Sequence, residues 1–150
     1  MMNKVELKIF IGMSRALNKI NRATNKIYKK YGLTSGQFAV LEALYHKGDL
    51  SVGEVQEKVL STSGTIPVIV RNLENEGLLE KAIDEKDKRR FILHITKKGR
   101  DLMELVYPEN EALIISMMNI WSKEEQEQIL KYMKKFGGIE KQKNSKDKLR

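Results

Sequence analysis

The segment from Leu60 to Gly77 reads Leu-Ser-Thr-Ser-Gly-Thr-Ile-Pro-Val-Ile-Val-Arg-Asn-Leu-Glu-Asn-Glu-Gly, and it is soon followed by Asp84-Glu-Lys-Asp-Lys-Arg-Arg90. The first stretch has a hydroxyl-rich leading end and an apolar face at Ile66, Ile69, Val70 and Leu73, with the three- and four-residue steps of a helix. Gly77 fits the left-handed position just past a helix end, where Leu73 and Leu78 can make the accompanying apolar contact. Pro67 limits where the helix begins, because a proline is tolerated only within the first turn or so, where amides lack intrahelical partners. That places the start near Thr62–Gly64. Beyond Gly77 the period changes: Phe91, Leu93 and Ile95 alternate with Ile92, His94 and Thr96, the signature of a strand with one face on a core. Residues 78–83 can pair with it, which makes the charged segment the loop of a hairpin. A helix followed by a basic hairpin predicts a winged helix-turn-helix. Such a helix is sized for a DNA major groove, and such a loop reaches phosphates or the adjacent minor groove.

The flanks are helical. Phe10, Met13, Leu17, Ile20, Thr24, Ile27 and Tyr31 step by three and four, a seam of coiled-coil spacing, while Arg15, Lys19, Arg22 and Lys26 repeat on another side. Gly32 ends this first helix. Thr34-Ser-Gly-Gln37 has the spacing of a capping box, and so do Ser51-Val-Gly-Glu54 and Ser122-Lys-Glu-Glu125. The second helix turns Phe38, Leu41, Leu44 and Tyr45 inward and closes at Gly48. A short helix then runs from Ser51 to about Leu60, with Leu50 stapled on Val55. Thr96 caps a helix running through Leu102, Leu105 and Val106, which Pro108 breaks or kinks before it continues from Glu109 to Trp121. A last helix carries Ile129, Leu130, Met133 and Phe136 to Gly137-Gly138. The expected class is mainly α with a small β-hairpin. Residues 1–33 and 97–138 form a helical dimerisation region, 34–96 the winged helix-turn-helix, and 139–150 a basic disordered tail.

Composition narrows the classes. A chain of 150 residues is long enough for one compact unit with a real core. The formal net charge is +8, concentrated in residues 1–31, where eight Lys/Arg face one Glu. A basic chain favours polyanions, nucleic acid or an anionic membrane surface. No apolar run approaches the roughly 20 residues that span a bilayer, and the first residues do not read as a signal peptide, so a cytoplasmic protein is expected. There are no cysteines, which excludes disulfides, thiolate zinc sites and thiol redox sensing. With two histidines far apart, neither a metal site nor a cofactor is expected. No phosphate-cradling glycine loop, nucleophile elbow or metal-binding helix motif is present, so catalysis has no support.

Residues 34–100 resemble the DNA-binding core of the multiple antibiotic resistance regulator (MarR) family. The matching elements are Leu33-Thr-Ser-Gly-Gln-Phe-Ala-Val-Leu41, Ser63-Gly-Thr65, Leu73-Glu-Asn-Glu-Gly-Leu78, and Asp87-Lys-Arg89 leading to Ile95-Thr-Lys-Lys-Gly99. No single motif decides the matter; their order and spacing, with helical flanks on both sides, do. The resemblance implies a homodimer built by the first and last helices on a pseudo-palindromic operator in double-stranded DNA. It also implies release of DNA when a small phenolic or lipophilic molecule binds between the dimer and DNA-binding regions. Cysteine-sensing members are poor guides to a chain without cysteine.

The candidate DNA contacts are Thr62, Ser63, Thr65 and Arg71 on the recognition helix and Lys86, Asp87, Lys88, Arg89 and Arg90 on the wing, with Asp87 orienting Arg89. Hydroxyls at a helix start also serve as plain caps, and a charged turn is also an ordinary solvated one. The candidate effector pocket is Met13, Arg15, Leu17, Phe38, Leu41, Tyr45 and Leu102, with Arg15 or Lys19 meeting a carboxylate; such residues are more often core. His46 reads as a structural histidine at a helix end and His94 as an exposed one. The leading expectation is a ligand-responsive transcription regulator, most simply a repressor. The alternatives are a DNA-binding regulator without a small-molecule input and a winged-helix module that binds protein.

Overall fold

The computed structural model describes residues 4–59, 65–137 and 139. Thr62 and Ser63, and the tail expected from 139 apart from Ile139, lie outside the described residues. The elements in chain order are α1 (Val5–Lys30), α2 (Ser35–Lys47), β1 (Leu50–Ser51), α3 (Val52–Lys58), α4 (Ile66–Asn75), β2 (Leu79–Ile83), β3 (Phe91–Ile95), α5 (Lys97–Met118) and α6 (Lys123–Phe136). The chain forms two compact units, one up to Ile114 and one from Ile115 onward.

In the first unit the local signals act as the residue types demand. Thr34 Oγ accepts from the Gln37 amide while Gln37 Oε1 accepts from the Thr34 amide, closing the box that starts α2. At the end of α4, Gly77 sits at φ +72°, and the bonds Gly77 N to Glu74 O and Leu78 N to Leu73 O form a Schellman motif. Thr96 precedes α5; its hydroxyl accepts from the Gly99 amide and donates to the Gly77 carbonyl. The core gathers Phe38, Leu41 and Leu44 of α2, Val55 of α3, Ile66, Ile69, Val70 and Leu73 of α4, Leu79, Leu93 and Ile95 of the sheet, and Met103 and Val106 of α5.

Several expectations need correction. The sheet has three strands in the order β1-β3-β2, all antiparallel, because Leu50 and Ser51 pair with Leu93 and Ile92. Helix α3 ends at Lys58 rather than at Leu60. Helix α4 begins at Ile66 with Thr65 as its N-cap, not at Thr62–Gly64, so Pro67 falls in the first two positions, where its missing N–H costs least. Helix α5 runs unbroken through Pro108; it sends Met103 and Val106 into the core with Leu102 half-buried against it, while Leu105 is exposed. On α1 the seam is buried only toward its C-terminal end: Thr24 is buried and Ile27 and Tyr31 partly so, whereas Phe10, Met13 and Leu17 are exposed. Tyr28, one residue off the seam, is the α1 side chain that enters the core. Its ring stacks on Phe38 at 4.2 Å and its hydroxyl donates to Asn110 Oδ1 at 2.8 Å.

In the second unit Ser122 and Glu125 close the capping box that begins α6, and Gly137, in a left-handed conformation, ends it. Gln126 Nε2 donates to the carbonyls of Met118 and Trp121, bracing the turn that precedes the helix. None of the α6 side chains is fully buried.

Candidate nucleic-acid interface

The antiparallel register decides what faces helix α4. Leu79 pairs with Ile95, Lys81 with Leu93 and Ile83 with Phe91, and paired residues share a face. At its root this face is Leu79, Leu93 and Ile95, all buried in the core. Toward the tip the same face continues as Lys81, Ile83 and Phe91, all exposed. The hairpin therefore projects beyond the core with one face still turned toward the helices. Between that face and the helices lies a concavity of about 530 Å³ lined by Ser51, Val52, Gly53, Pro67, Val70, Arg71, Lys81, Arg89, Arg90 and Phe91. Its apolar members are Val52, Pro67, Val70 and Phe91. Its charged members are four cations, Arg71 from α4, Lys81 from β2, and Arg89 and Arg90 from the wing, with no carboxylate among the lining residues. Lys81 Nζ sits 4.4 Å from the centre of the Phe91 ring, a diagonal cross-strand pair that keeps the ammonium over the face.

The wing turn is internally ordered. The Asp84 amide donates to the Arg90 carbonyl at 2.9 Å, and the Arg90 amide to the Asp87 carbonyl at 3.0 Å. Asp84 Oδ1 accepts from the Lys86 amide at 3.0 Å. Asp87 Oδ1 accepts from both the Arg89 amide and Arg89 Nε, each at 3.1 Å. Those two bonds, side chain first, hold the Asp87 carboxyl below its ordinary range. The Arg89 side chain is 91% exposed and projects from the turn. Arg90 instead lies against Glu54 Oε1 at 3.2 Å and Asp84 Oδ2 at 3.8 Å. Of the sequence candidates, Arg71, Arg89 and Arg90 thus meet at one concavity. Thr65 is exposed at the start of α4, and Lys86 and Lys88 are exposed in the wing turn. Lys81 and Phe91 were not among the residues expected to contact DNA. The strand register was their signal, and it emerges only once the pairing is known.

The candidate effector residues do not share one environment. Phe38 and Leu41 are core, with Leu41 fully buried, and Tyr45 and Leu102 pack half-buried against them. Met13, Arg15 and Leu17 lie on the exposed N-terminal part of α1. An aromatic group of different membership occurs where α2 ends. His46 packs edge-on against Tyr45 and Tyr107, with ring centres 5.2 and 4.6 Å away, and the Arg100 guanidinium lies 5.9 Å from the Tyr45 ring. Beside it Glu42 is partly buried, and burial pushes its carboxyl above the ordinary range. His94 is exposed as expected, with Nδ1 2.7 Å from Asp49 Oδ1.

Comparison with known proteins agrees with this geometry. Residues 22–106 match the family described as Transcriptional regulator SarA/Rot. The chain is 39% identical over 145 residues to the HTH-type transcriptional regulator MhqR of Bacillus subtilis, covering 97% of this chain and 100% of that protein. The solved structure of AbsC, a MarR family transcriptional regulator from Streptomyces coelicolor, superposes with a TM-score of 0.83 at 16% identity, over 92% of this chain and 95% of that one. NadR in complex with 4-hydroxyphenylacetate superposes with a TM-score of 0.73 at 20% identity, over 88% of this chain and 94% of that one.

Proposed function

The chain belongs to the MarR-type winged-helix, DNA-binding transcriptional regulators, and on that premise we propose that it acts as a homodimeric repressor on a pseudo-palindromic operator. The observation that carries the proposal is the concavity between α4 and the wing, with four cations and no carboxylate in its lining. Arg71 on the helix and Arg89 on the wing are placed for different tasks. A helix residue reaches base edges in the major groove, whereas a projecting wing arginine meets phosphate or the narrow minor groove. Thr65 supplies a hydroxyl at the leading end of the helix, and Thr62 and Ser63 precede it in the sequence. Lys86 and Lys88 add charge at the wing.

Two apolar surfaces support the dimer. On α1, Val5, Ile9, Phe10, Met13 and Leu17 are exposed in one half of the helix. In the second unit, Met118, Trp121, Ile129, Leu130 and Met133 line an open apolar groove. Surfaces of this kind are normally covered, and a two-fold dimer would place two recognition helices about one turn of DNA apart. For regulation, the aromatic group of Tyr45, His46 and Tyr107 with Arg100 suits a flat aromatic acid, the ligand class named for NadR. Phe38 and Leu41 are themselves buried core side chains, and that observation favours the second reading, regulation without a ligand. Among the described residues no helix is long and apolar enough to cross a membrane.

The test is selection from a random duplex library with the full chain. Enrichment of a two-fold symmetric site by a species that sediments as a dimer is the expected result. Enrichment of no site, or a monomer at micromolar concentration, contradicts it. A screen of aromatic acids for compounds that weaken binding to the selected duplex and raise Tm separates the two regulatory readings.

A further inference from the structure

The two neighbouring arginines of the wing are held in different ways. Arg89 pairs with Asp87 inside its own turn and projects into solvent. Arg90 is engaged from two elements: Asp84 at the base of the wing and Glu54 on α3, 36 residues away in sequence. Asp84 is itself fixed, since its amide donates to the Arg90 carbonyl and its other carboxylate oxygen accepts from the Lys86 amide. Glu54 has the position that returns to the N-cap amide at the starts of α2 and α6. At α3 only half of that box forms: Ser51 Oγ accepts from the Glu54 amide at 3.1 Å. Ser51 is committed to β1 opposite Ile92, and the Glu54 carboxylate turns to Arg90 instead. An acid beside a phosphate-facing concavity repels DNA, so its presence there calls for a structural reason.

Taking DNA binding at this face as given, we propose that Arg90 is a positioning residue rather than a phosphate ligand. Glu54 and Asp84 hold its guanidinium, and through it the base of the wing is clamped to α3. Helix α4 and Arg89 then meet one duplex at a fixed separation. The acid contributes to DNA affinity because it holds the wing in the competent arrangement, and binding weakens in proportion to the fraction of molecules in which the wing has left it.

The experiment compares wild type, Glu54→Gln, Arg90→Gln and the double variant. Each is titrated with the duplex that wild type selects from a random library, over a range of salt, and amide hydrogen exchange of Asp84 and Arg90 is measured without DNA. The clamp predicts that Glu54→Gln weakens binding about two- to fivefold, the scale of an exposed ion pair. It predicts salt lines parallel to wild type, faster exchange at the wing base, and a double variant no worse than Arg90→Gln. Removing a negative charge would by itself tighten binding, so tighter binding by Glu54→Gln overturns the proposal. A salt slope reduced by about 0.9 in Arg90→Gln does so too, because it marks a lost phosphate contact. If wild type selects no duplex, the DNA-binding proposal fails, and the clamp is still decided by exchange: unchanged protection at Asp84 and Arg90 in Glu54→Gln refutes it.

Discussion

Gly99 lies in the first turn of α5, where the helix passes directly over the chain reversal that starts the hairpin. A Cβ added there would fall inside the Leu78 carbonyl oxygen and 2.9 Å from Ile95 Cγ1. The obstacle is backbone, and it is held from both sides. The Leu78 carbonyl accepts from the Thr96 amide at 3.1 Å and the Leu78 amide donates to Leu73 at 3.0 Å. Relief therefore requires α5 to lift or the Thr96–Leu78 bond to break. Overpacking costs about 1–3 kcal/mol, and a hydrogen bond lost with it about 1 kcal/mol more. Against this, replacing a helical glycine by alanine returns about 0.5–1 kcal/mol. Gly99→Ala should therefore destabilise the fold by about 2 kcal/mol, a fall in Tm of roughly 4–8 °C for a chain of this size. Urea and thermal unfolding at matched protein concentration measure it. Gly12→Ala is the control: Gly12 is inside α1 with nothing within 4 Å of an added Cβ, so the same substitution should be neutral or mildly stabilising there. A Gly99→Ala variant as stable as wild type would refute the close approach of α5 to the hairpin.

Three further outcomes are expected. Tyr28→Phe leaves the buried Asn110 amide without its partner and should cost roughly 1–3 kcal/mol, read from the urea midpoint at unchanged slope. Burial raises the Glu42 carboxyl, with His46 opposing, so ionising it in the folded chain costs stability. Its penalty grows as pH rises from the ordinary carboxylate range through its raised value, so Glu42→Gln should raise Tm at pH 7 and lose that advantage below pH 4. Glu109 has the opposite sign: hydrogen bonds from Lys30 and then Tyr31 hold its carboxyl below the ordinary range. The stability it lends is present above that range and fades as pH falls through its lowered value, so Glu109→Gln should lower Tm at pH 7 and lie closer to wild type in acid.

The parts of the fold legible in sequence are those where one residue type answers one local demand. Hydroxyls at Thr34 and Ser122 with Gln37 and Glu125 three residues on closed as boxes, and Gly77 took the positive φ its place requires. The alternation from Phe91 to Ile95 became β3. What escaped depends on partners distant in sequence. Two residues, Leu50 and Ser51, are too few to show a period, and become a strand only because β3 offers a free edge. The α1 seam was placed by spacing alone, yet the ring that enters the core is Tyr28, chosen by Phe38 and Asn110. At the interface, Arg71 and Arg89 were legible as cations on a helix and a loop. Lys81 and Phe91 were not, since their role follows from the register that carries a core face out beyond the core.

The central claim, that α4 and the wing read DNA together from one cationic concavity, is tested most directly by Arg89→Ala and Arg71→Ala on two duplexes, the selected site and a scrambled one, across a salt series. Arg89→Ala should weaken both duplexes alike and reduce the salt slope by about 0.9. Arg71→Ala should act chiefly on the selected site, where a base contact contributes about 1–3 kcal/mol, and erode its preference over the scrambled one. If Arg89→Ala leaves affinity and slope unchanged, the wing does not touch DNA and the account is wrong.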